Sequence, residues 1–282
     1  MKIMNLIALL CCFAFYAHPQ NTEKITKDKV NLRFYYTLAK KKPLDSSPYR
    51  IDTMLLDIGT EVSRFYDPAR LTRDSAISSL FNPANSANIK AMNVFKGESA
   101  KQVMDMPGSV GSNTTEGESY QILKDKKGNV TVLDYVSNMS PKLRFEENLT
   151  KLNWQLEEET DTIASYTCQR ATLKFRGRNY IAWFTTDIPV NDGPWKFSGL
   201  PGLILKIEDA DQLYSFTLIG MIQPSKPIPM VIEKSDYLKI TREDYNKQLE
   251  KKSMGVYVNY TNGVVNIAEI PGKLQLIAME LE

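Results

Sequence analysis

The residue types that most often carry hydrolytic or metal chemistry are scarce in this 282-residue chain. It contains one histidine, His18, and three cysteines, Cys11, Cys12 and Cys168. All but Cys168 lie in an N-terminal stretch that we expect to be removed. Without them, a Ser-His-Asp triad, a Cys-His pair, an internal disulfide and a histidine-ligated zinc or copper site are all excluded. We therefore expect no metal site and no cofactor.

The remaining cysteine has a chemical and a structural interpretation. Cys168 alternates with Tyr166 and Arg170 in a predicted strand. A buried free cysteine packs as a small hydrophobic residue, whereas a reactive thiol needs an open, electropositive setting. One arginine is thin support for such a setting, so the structural interpretation is favoured.

Other candidate ligand groups also favour structural interpretations. Asp209 and Asp211 lack the further ligands of a calcium loop and predict a solvated turn. Glu157–Glu159 and Lys40–Lys42 are interpreted as a charged strand end and a solvated loop. The alternative left open is a Cu(I) site built from methionine thioethers, whose candidate ligands are Met92, Met104 and Met106.

The N-terminus has the pattern of an export signal. Lys2 precedes an apolar run from Ile3 to Ala17, and polar residues follow. This run is shorter than the roughly 20 apolar residues of a membrane-spanning helix. We expect residues 1–20 to be a signal peptide and the mature protein to be periplasmic, associated with the outer membrane, or secreted. Lipidation at Cys11 is disfavoured because Leu10 before it is not small.

The charge of the mature chain is close to neutral. Without Lys2, 34 basic residues stand against 33 acidic ones, which gives a net charge of +1. Nucleic-acid recognition relies on a basic face. We therefore expect no nucleic-acid partner.

Alternating apolar residues dominate the mature chain, as in strands with one buried face. Leu32, Phe34, Tyr36 and Leu38 show this alternation. Further apolar runs are separated by four hairpin turn signals, at Lys126–Asn129, Glu159–Thr162, Arg176–Asn179 and Asp209–Gln212. The predicted fold class is mainly β, a curved antiparallel sheet or half-barrel with one or two covering helices.

Helices are few in this prediction. Asp67–Phe81 is helical in pattern, with Pro68 in its first turn. Thr241 begins a second helix that ends near Ser253. Residues 83–118 are long and polar, and are interpreted as a mobile insertion with one short helix. Residues 21–282 are thus predicted to form a single β-rich domain.

The stretch GPWKFSGLPGLILKI, from Gly193 to Ile207, joins chain-reversing residues to a strand pattern. Pro201 restricts its own φ, and glycines at 199 and 202 permit positive φ. The favoured interpretation is a folding device anchored by leucines. The alternative is a contact surface that displays two aromatic side chains. The candidate contact or fold-motif residues are Gly193, Pro194, Trp195, Lys196, Phe197, Gly199, Leu200, Pro201 and Gly202.

Together with two preceding segments, Tyr166–Ala171 and Phe175–Thr185, the stretch Gly193–Ile204 resembles the GLPGLI family. That family consists of exported proteins of a Gram-negative lineage and is named after this hexapeptide. The resemblance is specific over residues 150–222 and looser elsewhere. It implies export to the cell envelope and, for some members, genes near those for outer-membrane transport. It implies no established activity, so no catalytic residue is carried over.

Two hypotheses of function remain. The first is a non-catalytic binding protein of the envelope, whose partner is an outer-membrane or other envelope protein, a peptide or an apolar ligand held on the curved sheet. The second is an envelope enzyme that uses carboxylate, Tyr or Lys side chains on glycans. Two carboxylates about 5–9 Å apart in a cleft would favour the enzyme. No oligomeric state follows from the sequence.

Overall fold

The fold is that of a computed structural model, which describes residues 24–43, 45–80, 87–96, 101–103, 105–107, 109–112, 117–135, 140–249, 256–269 and 279–281. The predicted signal peptide and its cleavage site lie outside these residues. Among the helices of this part of the chain, none is long and apolar enough to cross a membrane.

Strands make up most of the described chain. They are β1 (Lys24–Val30), β2 (Leu32–Lys40), β3 (Arg50–Ile58), β4 (Val62–Tyr66), β5 (Ala91–Lys96), β6 (Val110–Ser112), β7 (Gln121–Asp125), β8 (Asn129–Tyr135), β9 (Lys142–Asn148), β10 (Gln155–Ile163), β11 (Tyr166–Phe175), β12 (Arg178–Thr185), β13 (Leu203–Asp209), β14 (Tyr214–Ile222), β15 (Ile228–Glu233), β16 (Leu238–Lys239), β17 (Val256–Thr261) and β18 (Val264–Glu269). Two helices accompany them, α1 (Pro68–Leu80) and α2 (Arg242–Leu249).

Twelve strands form one open sheet in the order β10-β11-β12-β13-β14-β2-β3-β4-β7-β8-β9-β16. Neighbours are antiparallel except for the parallel pair β9–β16. β1 and β15 form a separate two-stranded ribbon. The prediction of a mainly β, antiparallel fold with few helices is confirmed.

Curvature brings distant parts of this sheet together. Arg176, in the turn between β11 and β12, is ion-paired with Glu147 at the end of β9. These strands stand at nearly opposite ends of the sheet order, so contact requires the sheet to wrap around its own inner face. That face carries the main core, in which Phe34, Tyr36 and Leu38 are fully buried, as their alternation predicts.

The hairpin between β10 and β11 turns later than predicted. Its turn residues are Ala164 and Ser165, with φ of 49° and 68°, rather than Glu159–Thr162. The predicted turn residues instead continue β10, where Asp161 is opposite Cys168. A tight two-residue turn with positive φ suits a twisted hairpin, and neither Ala nor Ser is the usual residue for it.

Part of the 83–118 segment belongs to a second sheet. β5 pairs in parallel with β18, and β6 pairs antiparallel with β17, in the order β5-β18-β17-β6. Residues 101–103 are helical, in line with the predicted short helix. The sequence analysis assigned no strand to this segment, because its two short strands gain their partners only from β17 and β18, much later in the chain.

Two predicted solvated groups are buried instead. Lys40 is 8% exposed and lies beside Glu118, and Asp209 is 1% exposed. Asp209 accepts hydrogen bonds from Arg178 and from the backbone N–H of Tyr214, so it holds the β13–β14 turn from inside. Asp211 is the exposed member of that turn.

Candidate functional site

The Gly193–Gly202 stretch lies within the core that the curved sheet encloses. Trp195 is 5% exposed and Phe197 is 0% exposed, and their ring centroids are 5.1 Å apart. Phe197 also packs edge-on against Tyr180 at 4.7 Å. Leu200 is buried as well. The stretch is buried at Gly193, Pro194, Lys196 and Gly202, and exposed at Gly199 and Pro201.

Side chains from two strands bind the backbone of this stretch and of the residues just after it. Lys124 of β7 donates to the carbonyl oxygens of Gly193, at 2.6 Å, and Phe197, at 3.2 Å. Tyr36 of β2 donates to the Ile204 carbonyl at 2.7 Å. Carbonyl groups removed from water must find donors inside the protein. These cross-sheet bonds therefore fix the path of the stretch through the core.

The glycines of the hexapeptide differ in role. Gly199 has φ of 93°, which confirms the expected left-handed conformation. Gly202 is not among the positive-φ residues, so that expectation was wrong. A Cβ at Gly202 would lie 1.9 Å from the Thr185 carbonyl oxygen, and this close backbone approach requires glycine. Trp195, which is not a glycine, also adopts a positive φ, of 53°.

Lys196 is at the centre of a buried ion cluster. Its ammonium lies 2.8 Å from Glu147 and 2.5 Å from Glu280, and Arg176 pairs with both glutamates. Arg242 of α2 also reaches Glu280, at 3.4 Å. Burial alone would raise the pKa of Glu280, but Lys196 and then Arg176 outweigh burial and lower it. The cluster ties β9, the β11–β12 turn, the Gly193–Gly202 stretch and the chain end together.

A cleft with many polar residues lies between α1 and the ends of four strands, β7, β8, β9 and β15. We call it the α1 cleft. Its lining includes five carboxylates. Asp67 directly precedes α1 and Asp74 lies within it, Glu118 lies just before β7, and Asp134 and Glu233 belong to β8 and β15. The sheet order places these element ends next to one another, although they are distant in sequence.

The α1 cleft is ordered by hydrogen bonds at the start of α1. Asp67 caps the helix, since it accepts from the backbone N–H of Arg70 at 2.9 Å. The same carboxylate accepts from the backbone N–H of Glu118 at 3.0 Å. Arg70 in turn bonds Asp74 at 2.8 Å. The helix and the start of β7 are thereby held in one arrangement.

Asp134 is ordered from two sides. The Tyr245 hydroxyl of α2 donates to it at 2.6 Å, and the Ser119 hydroxyl also donates at 2.6 Å. These bonds hold the Asp134 carboxylate in a fixed orientation at the edge of the cleft.

Glu118 connects the cleft to buried cations. Lys40 and Arg50 are both ion-paired with it. Burial lowers the pKa of Lys40, and Glu118 offsets only part of that effect. Asp52 pairs with Arg50 at 2.6 Å, and burial raises the pKa of this aspartate.

Two tyrosines of the α1 cleft have buried hydroxyls with no hydrogen-bond partner among the described residues. They are Tyr120, which is 9% exposed, and Tyr135. Burial raises the pKa of Tyr120 well above 10, and Glu118 adds to that shift, so its hydroxyl stays protonated. A buried hydroxyl without a partner costs free energy, and such groups often mark an absent ligand or water.

The other predicted sites carry no comparable arrangement. Cys168 is buried, and burial raises the pKa of its thiol, so the structural interpretation of this residue is confirmed. The described residues contain no cluster of three or more His, Cys, Asp or Glu side chains that could hold a metal ion. The Cu(I) alternative depends on Met104, which lies outside the described residues.

The sequence analysis did not identify the α1 cleft. Its carboxylates occur singly along the chain, with no motif spacing, and only the order of strands brings them together. One local signal was available, because Asp67 directly before Pro68 is a typical helix N-cap. The polar pair Asp134-Tyr135 at the end of an apolar strand was a second.

Comparisons with known proteins give a family match and two distant structural matches. Residues 176–206 match the family described as "Protein of unknown function (Porph_ging)". Two solved structures of PNGF-II, in space groups P21 and C2, are similar at 12% identity, with TM-scores of 0.46 and 0.49. The match covers 83% of this chain and 35% of each of theirs, so this chain spans about a third of their length. No curated protein matches the chain.

Proposed function

We propose that the protein is exported to the cell envelope and acts there by binding a polar ligand in the α1 cleft, without catalysing a reaction. The observation that carries this proposal is the pair of unpartnered hydroxyls, Tyr120 and Tyr135, buried in the lining of the cleft. Both hydroxyls are closed off from solvent, so a ligand that recovers the free energy of their desolvation must reach them through a shift of the side chains that line the cleft. The carboxylates beside them are already ordered by bonds to the protein and need little rearrangement on binding.

The position of the cleft changes the expected ligand. An apolar ligand on the inner face of the sheet would compete with Trp195, Phe197 and Leu200, which are buried there. The α1 cleft is lined by other residues, and five of these carry carboxylates. A polar ligand therefore suits the available space better.

Export and envelope partners remain part of the proposal. Support for export comes from the apolar run after Lys2 and from the resemblance to the GLPGLI family. An outer-membrane or other envelope protein is the proposed partner class. Edman sequencing of the mature protein should begin between His18 and Thr22, and an N-terminus at Met1 would contradict export.

A second candidate, an envelope enzyme acting on glycans, is favoured by one observation. Glu118 and Asp134 line the same cleft and are linked through Ser119, which follows Glu118 in sequence and bonds Asp134. Acid–base catalysis, however, needs carboxyl groups that exchange protons with a substrate. Glu118 is ion-paired with Lys40 and Arg50, and Asp134 accepts hydrogen bonds from Ser119 and Tyr245. Binding is therefore the better-supported function.

Native mass spectrometry of the untagged protein, purified from the envelope fraction, tests the proposal. We expect a bound species in the parent and its loss in Tyr120→Phe. The matched control is Tyr260→Phe, which removes the hydroxyl of a tyrosine that is 40% exposed in β17. A parent without bound species, or equal occupancy in parent and Tyr120→Phe, would contradict binding at the cleft.

A further inference from the structure

We propose that the end of β14 and the loop that follows it form a surface that docks onto an anionic lipid membrane. This surface consists of residues 219–229, which we call the β14–β15 tip. None of its residues lines the α1 cleft, so it is a second surface of the protein. Three properties of the tip support the assignment: exposed apolar side chains, a strand end with a partner on one side only, and a local excess of positive charge.

Exposed apolar side chains are concentrated in the tip. Twelve large apolar side chains are well exposed among the described residues, and four of them lie in the tip. They are Ile219, Met221, Ile222 and Ile228, which are 37–56% exposed. Of residues 221–229, all but Pro224 are exposed. Single exposed apolar residues are ordinary, whereas a group of them marks a surface that binds a protein or a membrane.

The course of β14 explains why this group is uncovered. β13 pairs with β14 only as far as Thr217, whereas β2 remains paired with it up to Ile222. The last residues of β14 therefore have a partner strand on one side only. The register with β2 shifts between Leu218 and Gly220, which makes Ile219 the extra residue of a bulge. Bulges bend a strand and redirect its side chains, so Ile219 is exposed although Leu218 before it is buried.

The tip carries positive charge. Residues 219–229 include Lys226 and no aspartate or glutamate. Lys29 of β1 is opposite Pro229 in the two-stranded ribbon, and both lysines are exposed. Neither lysine forms an ion pair with another described residue. Lysines at a membrane surface are attracted to the headgroups of anionic lipids.

The carboxylates of neighbouring strands leave this excess in place. Asp57 of β3 is paired with Arg33, the residue opposite Ile222. Asp28, next to Lys29, accepts hydrogen bonds from the backbone N–H groups at positions 61 and 62. Because Asp28 offsets one of the two lysine charges, one net positive charge remains at the tip. The apolar side chains should therefore provide most of the affinity, and the lysines the preference for anionic lipid.

A lipid surface fits the tip better than a protein partner. Stable protein interfaces bury roughly 800 Å² on each partner, and their affinity centres on Trp, Tyr and Arg side chains. Residues 219–229 contain none of these three residue types. Binding at a membrane interface needs only apolar side chains that reach the acyl boundary, with cations at the level of the headgroups. The aliphatic and thioether side chains of the tip meet this requirement.

Vesicle flotation tests the assignment, with vesicles of phosphatidylcholine alone and of phosphatidylcholine with about one third phosphatidylglycerol. The protein used begins after Ala17, which Edman sequencing verifies, because the apolar run before it would bind vesicles by itself. We expect the parent to bind the mixed vesicles. Met221→Ser/Ile222→Ser should weaken this binding by about tenfold, because less apolar surface enters the membrane. Lys226→Gln should weaken it by about fivefold.

The matched control is Ile51→Ser, which removes an apolar side chain that is 63% exposed at the far end of β3 from Asp57. It should bind vesicles as the parent does. Thermal unfolding of each variant checks that it folds.

Four results would overturn the membrane assignment. They are absence of flotation with both kinds of vesicle, equal flotation of the parent and Met221→Ser/Ile222→Ser, an equal loss in Ile51→Ser, and a parent dimer in sedimentation equilibrium that Met221→Ser/Ile222→Ser dissociates. In the last case the tip is an interface between two copies of this chain. Ligand binding at the α1 cleft is tested independently, because these variants leave its lining unchanged.

Discussion

The Gly193–Gly202 stretch and the α1 cleft treat buried polar groups in opposite ways. From Ile188 to Leu205, no fully buried side-chain nitrogen or oxygen lacks a hydrogen-bond partner. In the α1 cleft, the hydroxyls of Tyr120 and Tyr135 are buried and lack one among the described residues. A satisfied buried network stabilises one arrangement of the chain, whereas an unsatisfied one costs free energy until a ligand completes it. The first region is therefore assigned to folding and the second to binding.

The difference also separates what the family resemblance marks from what the protein binds. The residues that carry the resemblance are mostly buried between strands of the curved sheet, and Lys196 is held there by Glu147 and Glu280. Substitutions in this stretch should act on stability, while substitutions in the cleft should act on ligand affinity. The predictions below test that separation, from the largest expected effect to the smallest.

Lys196→Met should have the largest effect on stability. The substitution removes the ammonium that Glu147 and Glu280 share and leaves these two buried carboxylates with one cation fewer. Breaking a buried ion pair typically costs about 3–5 kcal/mol. We expect a fall in melting temperature on the order of 10 °C.

The matched control for that substitution is Lys126→Met. Lys126 pairs with Glu61 at 3.2 Å, and both side chains are about two-thirds exposed. Exposed pairs contribute roughly 0–1 kcal/mol. Equal melting temperatures for Lys196→Met and the parent would mean that the ion cluster does not stabilise the fold.

Gly202→Ala should have the next largest effect. Its Cβ would lie 1.9 Å from the Thr185 carbonyl oxygen, and backbone atoms cannot move away as a flexible side chain can. Overpacking costs typically about 1–3 kcal/mol, and we expect the upper end of that range, with Gly202→Val costing more. Thermal unfolding measures the loss.

Gly220→Ala in β14 is the control for this steric argument. No atom lies within 4 Å of a Cβ placed there. Its effect should stay within about 0.5 kcal/mol. A Gly202→Ala protein that melts with the parent but loses an envelope partner would reassign the stretch to a contact surface.

A smaller effect should appear in the pH dependence of Glu280→Gln. The folded protein lowers the pKa of this carboxyl below its ordinary 4.5, because Lys196 and Arg176 outweigh the opposing effect of burial. A depressed pKa stabilises the folded state above the unfolded value, and this contribution is lost as pH falls through the folded value. The parent should therefore exceed Glu280→Gln in stability at neutral pH, and the difference should shrink below about pH 4.5.

Denaturant unfolding of both proteins between neutral and acidic pH measures this difference. The titration of other carboxyls affects parent and variant alike and cancels when the two are compared. A difference that stays constant into strong acid would mean that the charge of Glu280 does not stabilise the fold.

Local sequence patterns predicted the strands better than the sites. Alternation placed β2 correctly, and Arg176-Gly177 marked a real turn, because both depend on neighbouring residues. The turn at Ala164-Ser165 was missed, since neither residue type favours positive φ. Burial of Lys40 depends on Glu118, 78 positions away, and no local pattern reports such a partner.

The hexapeptide shows the same limit within one motif. The sequence indicated that glycine was needed at position 202, but the expected reason, a positive φ, was wrong. Positive φ is a property of the residue itself, whereas the approach of Thr185 depends on how two strands meet. The α1 cleft could not be predicted for a related reason, because five element ends converge there only after the sheet has formed.

The central claim is that the buried polar groups of the α1 cleft serve ligand binding, whereas those of the Gly193–Gly202 stretch stabilise the fold. Its most direct test is the free energy of unfolding of the double variant Tyr120→Phe/Tyr135→Phe, measured without ligand. Removing two buried hydroxyls that have no partner should leave stability within about 0.5 kcal/mol of the parent, or raise it slightly. A loss of more than about 1 kcal/mol, as for hydroxyls that bond within the fold, would contradict the claim.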